Sequence, residues 1–513
     1  MNRSEGSIWF KPVILAIAIL TFISHLLIIN NLEFHRDELL YFSLGQHPAA
    51  GYASVPPLIG WLAMGMTKIF GFTLFAVRFL PALMGGVMII MVASLAKEFG
   101  GSDYASFLAV TGLSVSVFFM RTYTLFQPVF MEIFLWTLCI YLIVKFINTK
   151  KERYLILFGI AAGFSLLNKY LAGLLFAGLF VIIPFTVHRS VFRKRLFWIG
   201  IALGFVIFLP NLLWQVWRGF PVVWHMSELY DTQLVHMDMS LFLSEQLLMP
   251  FAGSILTVSG IIFLFSRAAG KFRFLGFLSV FIIAGLMLLK GKSYYTLGIF
   301  PLLIASGAVA FDRWINPRWI RILIPVLLIL ITIPVIPMGL PVMPREGLKK
   351  YFSSQQERLG TSVGQRFEDG TIHTLPQDYA DMIGWEELTS VVAKAYISVS
   401  DKQSCFIYCE NYGQAGAITV IGKKYGLPEA VCFSESFQYW FPESFSPDIK
   451  SFIYVNNELG DDVKALFMKI TVAGSITDRD SREYGTTVWL CEEPVGSFNV
   501  FWTERTKGIV KSR

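Results

Sequence analysis

The stretch NNLEFHRDELLYFSLG, residues 30–45, follows the first apolar run of the chain and sets two adjacent carboxylates, Asp37 and Glu38, behind His35 and Arg36. The run before it, from about Val13 to Ile29, has Arg3 and Lys11 on its N-terminal side and no small-residue cleavage site at its end. It therefore reads as an uncleaved first membrane span rather than a removable leader. What the two carboxylates can do depends on which side of a membrane they emerge.

The chain has 513 residues, 55% apolar, 15% charged and 15% aromatic, which is too apolar for a water-soluble protein of this length. Runs approaching or exceeding about 18 apolar residues point to transmembrane helices. Beyond the first, they fall near 74–96, 104–120, 125–147, 154–168, 170–187, 197–216, 247–266, 273–290, 294–311 and 319–338. That makes about eleven spans, an odd count that puts the two chain ends on opposite sides. The net charge of +7 is spread over loops with no basic soluble face, so nucleic acid is excluded as a partner.

Loop charge sets the orientation. With the N-terminus cytoplasmic, the inner loops hold Lys97, then Lys150, Lys151 and Arg153, then Arg189, Arg193, Lys194 and Arg195. Later inner loops add Arg267, Lys271 and Arg273, then Arg313, Arg318 and Arg321. The outer loops hold only Arg36, Lys68, Arg121, Lys169, Arg218, Lys290 and Lys292. Lys and Arg gather on the cytoplasmic side, so Asp37, Glu38 and everything after about residue 340 emerge outside. Within the first external loop, residues 31–73, the segment from Pro56 to Gly71 is apolar but short, and reads as a helix lying in the interface.

After residue 340 the composition turns polar. SCFIYC, KSFIYV and TTVWLC read as strands, and QAGAITVIGKKYG and DDVKALFMKI read as helices. The expected architecture is a polytopic α-helical membrane domain, residues 1–340, and a small α/β extracytoplasmic domain, residues 341–513. Cys405, Cys409, Cys432 and Cys491 lie in the latter. A strand of four residues spans roughly 13 Å, too far for Cys405 and Cys409 to bond, and other pairings stay open.

Asp37 and Glu38 are either a solvated rim pair or a general base for group transfer at a membrane exit, with Arg36 favouring the ionised form. Lys169, Lys292 and Arg121, at external helix ends, either snorkel to head groups or cradle a phosphate. Glu132 lies roughly 10 Å inside its span and needs a partner, either Arg78 or Arg121, or a substrate. Tyr294 and Tyr295 fall where aromatic belts form, yet follow Lys292 closely enough to join a sugar or phosphate site. His25 reads as a hydrogen-bonded packing residue. No zinc spacing, Walker loop or dinucleotide fingerprint occurs, so no cofactor is called for, although acidic loop groups leave a divalent ion open.

RDELLYFSLGQHPAAGYASVPPLIGWLA resembles the first external loop of the dolichyl-phosphate-mannose-protein mannosyltransferase superfamily, in the bacterial branch that includes the lipid A aminoarabinose transferases. The matching residues are Asp37, Glu38, Tyr41, Gly51, Tyr52, Pro56, Pro57 and Leu58. NKYLAG and KGKSYYTLGIFPLLIASGA resemble the family's Lys-Tyr and Lys-x-Tyr-Tyr segments. LPQDYADMIGWEEL and ENYGQAGAI resemble the tail of the bacterial branch. Val55 stands where many relatives carry Lys or His. The resemblance implies a C-type glycosyltransferase fold and transfer of a sugar from a polyprenyl-phosphate carrier to a glycolipid, glycan or protein acceptor outside a bacterial inner membrane. Asp37 would be the catalytic base and Glu38 its partner. Lys169, Lys292 and Arg121 would hold the donor phosphate, and Arg36, Tyr41, Tyr294, Tyr295 and Glu132 would contact substrate. A transporter or flippase for a lipid-linked or anionic substrate is the alternative, which repeated halves or broken mid-membrane helices would favour.

Overall fold

In lipid every backbone polar group needs an internal partner, so the apolar runs fold as helices. The computed structural model of the chain describes residues 10–359, 364–367 and 370–511; Arg3 lies outside the described residues. The apolar part holds α1 (Phe10–Leu27), α2 (Arg36–Gln46), α3 (Leu58–Phe70), α4 (Leu74–Glu98), α5 (Asp103–Ser114), α6 (Val117–Thr122), α7 (Pro128–Thr149) and α8 (Arg153–Asn168). It continues with α9 (Ala172–Ile182), α10 (Arg195–Trp217), α11 (Pro221–Thr232), α12 (Met239–Leu248), α13 (Ser254–Phe265), α14 (Phe274–Leu288), α15 (Phe300–Trp314), α16 (Arg318–Thr332) and α17 (Ile336–Gly339).

The protein is a multi-pass membrane protein, but its apolar runs are uneven. Among the described residues, five helices are long and apolar enough to cross a membrane: Leu74–Glu98, Pro128–Thr149, Arg195–Trp217, Ser293–Trp314 and Arg318–Gly339. The run at 247–266 is bent by 92° between Leu248 and Phe251, and the run at 104–120 breaks between α5 and α6. Helices α8, α9 and α14 are shorter than a full span. Each of the expected runs holds helix, and among the described residues several of these helices are short or broken. The segment at 56–71 does form a short apolar helix, α3.

One helix crossing positions a residue of the site. Helices α8 and α10 each carry a Gly-x-x-x-Gly pair, Gly159/Gly163 and Gly200/Gly204. Small residues at this spacing let helix backbones touch inside a membrane. A Cβ on Gly159 would fall 1.9 Å from the Gly200 carbonyl oxygen, and one on Gly204 would fall 2.3 Å from the Gly159 oxygen. The crossing fixes the C-terminal end of α8, where Lys169 is the capping residue. Two hydrogen bonds complete the arrangement: Asn168 Nδ2 donates to the Pro128 carbonyl at 2.9 Å, and Tyr170 Oη donates to Asn211 Oδ1 on α10 at 2.9 Å.

The tail adds α18 (Arg345–Leu359), α19 (Gln377–Ala380), α20 (Trp385–Ser398), α21 (Tyr412–Val420), α22 (Asp461–Lys464) and α23 (Phe498–Lys511). Its strands are β1 (Cys405–Cys409), β2 (Ser451–Asn456), β3 (Phe467–Ser475) and β4 (Thr487–Pro494), in the order β1-β2-β4-β3. Strands β1 and β2 are parallel and the other pairs antiparallel. Strand alternation separates two faces. Ile407, Cys409, Ile453 and Val455 join the main core, while Phe406, Tyr408, Phe452 and Tyr454 form an aromatic layer closed by Phe498 and Trp502 of α23. The reading of DDVKALFMKI as one helix is corrected. Only Asp461–Lys464 is helical, and Phe467 onward pairs along β4, whose ladder outweighs a weak local helical preference. All five cysteines are free, and only Cys405 is not fully buried.

The tail docks onto the first loop. Gly413 and Gly416 of α21 face α2, where a Cβ would meet Arg36 Cγ at 2.7 Å and Leu39 Cβ at 2.9 Å respectively. Glu33 Oε2 accepts from the Trp385 and Glu386 amides at 2.8 and 3.0 Å, capping the start of α20. At the far end of α2, His47 stacks on Trp440 at 4.0 Å and pairs with Glu429 at 2.9 Å.

Candidate functional site

The N-terminus of α2 is built by its own sequence. His35 is the capping residue: its Nδ1 accepts from the Asp37 amide at 3.1 Å, and its amide donates to Glu38 Oε2 at 2.8 Å. This reciprocal box satisfies two otherwise orphaned donors and holds the acidic pair rigidly. It also sends the two carboxylates to different places.

Glu38 is fully buried. Its Oε1 accepts from the Phe126 amide at 3.1 Å, and its Oε2 lies 3.7 Å from Arg78, itself 1% exposed. Arg78 also donates to the carbonyls of Ile29, Leu32 and Glu33. Both oxygens of the Glu38 side chain are thus committed to contacts that hold α2, α4 and the loop before α7 together.

Asp37 faces the other way. Its Oδ1 accepts from Tyr412 Oη of α21 at 2.9 Å, and its Oδ2 accepts from Gln127 Nε2 at 2.9 Å. Burial, and next the charge of Asp37, push the Tyr412 phenol well above its ordinary value, so it stays a donor. The Arg36 guanidinium lies 4.3 Å over the Tyr412 ring. Arg36 thus acts on Asp37 through Tyr412.

Tyr41, one turn along α2, is buried within electrostatic reach of Asp37, Tyr412, Glu435 and Tyr295. Tyr294 in turn lies within reach of Tyr41 and Asp37. Tyr294 and Tyr295 meet edge to face at 4.8 Å. Lys169 Nζ sits 4.5 Å from the Tyr295 ring and 5.5 Å from the Tyr294 ring. Lys292 caps the 3₁₀ segment Ser293–Ile299 that carries both tyrosines. Asp37, Tyr41, Tyr294, Tyr295 and Lys169 are therefore brought into one region from α2, the end of α8 and the segment before α15, with Lys292 at the N-terminal end of that segment.

Glu132 has a partner other than the two expected. It pairs with Lys169 at 2.9 Å and is 2% exposed, while its Oε1 has no hydrogen-bond partner among the described residues. Arg121 meets the tail, and its Nη1 and Nη2 have no hydrogen-bond partner among the described residues. Its Nε bonds Asp378 Oδ2 at 3.0 Å and its guanidinium lies 4.6 Å over Tyr379, so it anchors the tail. Burial opposes the ionised form of Asp378, but Arg121 and His35 hold its carboxyl below the ordinary range. His25 is buried and hydrogen-bonds the Thr21 carbonyl at 2.7 Å, a packing role.

Three site residues escape a reading of the sequence alone. Tyr412 and Gln127, which bind Asp37, lie in ENYGQAGAI and LFQPVFME, where a polar residue bounds an apolar run. Glu435 comes from the tail. It accepts from Ser54 and lies within reach of Asp37, and its Oε1 is 3.9 Å from His225 of α11. Burial pushes its carboxyl above the ordinary glutamate value. No sequence signal marks it. Among the described residues no group of three or more His, Cys, Asp or Glu could hold a metal ion.

Residues 54–214 match the family model described as dolichyl-phosphate-mannose-protein mannosyltransferase. Over that region, under a third of its length, the chain is similar to that family. The match takes in Pro56-Pro57-Leu58, Glu132 and Lys169 and begins after Asp37. A lipid A galacturonosyltransferase, RgtD, from Rhizobium johnstonii is 26% identical over 208 residues, which are 38% of this chain and 41% of that protein. The chain thus spans about two fifths of that relative's length in the matched part.

Among solved structures, ArnT from Cupriavidus metallidurans bound to undecaprenyl phosphate has a TM-score of 0.61 at 12% identity, covering 94% of this chain and 98% of that one. The archaeal oligosaccharyltransferase AglB from Archaeoglobus fulgidus has a TM-score of 0.51 at 12% identity, covering 87% of this chain and 69% of that one. The fold is the C-type glycosyltransferase fold with a small C-terminal sheet region.

Proposed function

We propose that this chain transfers a sugar from a polyprenyl-phosphate carrier to an acceptor at the outer face of a bacterial inner membrane, with its N-terminus cytoplasmic and residues 341–513 outside as a separate domain. The observation that carries this reading is the convergence of Asp37 and Lys169 on the Tyr294–Tyr295 pair from helices far apart in sequence. A base and a cation facing one space are what displacement of a phosphate from a sugar's anomeric carbon requires. The loop-charge bias supports the orientation.

In the proposed mechanism Asp37 takes the proton of the acceptor hydroxyl as its oxygen attacks the anomeric carbon, and the bond to the carrier phosphate breaks with inversion. Lys169 and Lys292 stabilise the charge gathering on the leaving phosphate. Tyr412 and Gln127 aim Asp37, and Arg36 steadies Tyr412. An apolar cavity of about 240 Å³ lies among α7, α8, α9, α10 and α14, lined by Phe158, Phe176, Phe197 and Phe208 among others. Phe208 touches Tyr170, the neighbour of Lys169. The carrier's isoprenoid tail fits there, with its phosphate at Lys169.

The curated relative directs the first trial substrates to galacturonic acid and lipid A. Purified protein given undecaprenyl-phosphate-linked galacturonic acid and lipid A should release free carrier phosphate and glycosylated lipid A. Envelope glycans of cells with and without the protein, compared by mass spectrometry, should differ by one sugar. Identical glycans and no carrier release would remove the reading. The bend at 248–251 is a broken helix such as a transporter would also show, but the relatives named above are glycosyltransferases, which favours transfer over transport.

A further inference from the structure

Glu435 is costly where it stands. Its φ is +55°, a left-handed conformation that a Cβ-bearing residue rarely adopts. Its side chain is 15% exposed, and its Oε2 has no hydrogen-bond partner among the described residues. A strained backbone and an unsatisfied buried carboxylate in one residue call for a use.

The segment around it is firmly held. Ser436 Oγ accepts from the Ala53 amide of the first loop at 2.9 Å, and Phe437 is buried. Tyr439 packs against Trp214 of α10 at 5.9 Å, with Arg218 5.0 Å over its ring. The carboxylate is therefore positioned, and it reaches the same region as Asp37 and Tyr41. It approaches from the tail and lies within electrostatic reach of Asp37, the base that would meet the acceptor.

We propose that Glu435 is a specificity-determining residue, accepting a hydrogen bond from a hydroxyl or amine beside the attacking atom of the acceptor and rejecting an acceptor that presents phosphate there. This deepens the glycosyltransferase reading and rests on it. A phosphate monoester carries about −1.5 to −2 charges at neutral pH and has little need of a base. It would meet two carboxylates of like sign at the point of entry, and like charges in a shared site are disfavoured. A neutral acceptor gives the proton of its attacking hydroxyl to Asp37, while a second, neighbouring hydroxyl or amine donates to Glu435 Oε2.

The test uses the purified full chain, undecaprenyl-phosphate-linked galacturonic acid, and lipid A in bisphosphorylated and dephosphorylated forms. The wild type should use the dephosphorylated acceptor about tenfold better. Glu435→Gln should bring that ratio towards one, mainly by raising the KM for the dephosphorylated acceptor, with kcat less affected. Glu435→Gly relaxes the backbone, so it should melt no lower than wild type yet show the same loss of discrimination. An unchanged ratio in Glu435→Gln, a wild-type preference for the phosphorylated acceptor, or lower melting of both variants with normal KM overturns the inference. Absence of carrier release by the wild type with either acceptor is the separate failure of the glycosyltransferase reading itself.

Discussion

The two sides of α2 carry adjacent carboxylates and treat them in opposite ways. On one side Glu38 is sealed, with two backbone amides and Arg78 answering its oxygens. On the other, Asp37 is held by two neutral donors only, and Glu435 beside it keeps an oxygen unanswered. Complete satisfaction makes a buried charge structural, because removing any partner strands the rest. Incomplete satisfaction leaves lone pairs for a substrate. Adjacency in sequence therefore says little about shared role: one residue along a helix turns a side chain by about 100°, enough here to move it from the candidate site to a structural core.

The widest gap between the two sides should appear in turnover. Asp37→Asn keeps an acceptor for Tyr412 and removes the base, so transfer should fall by about 10²–10⁴-fold, while thermal unfolding of the detergent-solubilised protein stays within a degree or two. Glu38→Ala should do the reverse. Leaving Arg78 buried without its partner costs about 3–5 kcal/mol, visible as a large drop in melting temperature, and residual activity should track the folded fraction. If Glu38→Ala melts normally and is inactive, the distinction between the two sides fails.

Much of this is legible in the sequence. The first-loop stretch, the lysine before Tyr170 and the Lys-x-Tyr-Tyr stretch each locate a site element, because helix ends leave local chemical marks. The strands β1, β2 and β4 show in their alternation. What does not show are partners set by tertiary folding. Tyr412 lies 375 residues from Asp37, and nothing local announces that α21 packs on α2. Arg121 likewise pairs with Asp378, which arrives from the tail 257 residues away. The strand β3 is hidden because its ladder to β4, not its own residues, decides its state.

Lys169 joins the two cases. It faces the tyrosines and also neutralises Glu132. Lys169→Met should lower kcat/KM for the donor by about 10²-fold and also destabilise the protein by stranding Glu132. Adding Glu132→Gln should restore the melting temperature and leave turnover low. Recovery of both together would make Lys169 a structural cation, on the same footing as Arg78.

The smallest expected effect tests the sealed side by pH. The Glu33 carboxyl caps α20 through two amides, yet burial, the largest influence on it, raises its pKa above the ordinary 4.5 despite those hydrogen bonds. A raised folded-state pKa means that the contribution is fully present below the ordinary value and is lost as pH rises through the folded one. Glu33→Gln mimics the neutral acid and does not titrate. The wild type should therefore lose stability relative to this variant as pH rises above the ordinary value of 4.5, with the whole difference on the order of 1 kcal/mol or less. If the wild type instead gains on the variant as pH rises, the charged form is the favoured cap. The amides at the start of α20 would then outweigh desolvation, and Glu33 would resemble Glu38 in being a carboxylate whose partners fully answer its charge.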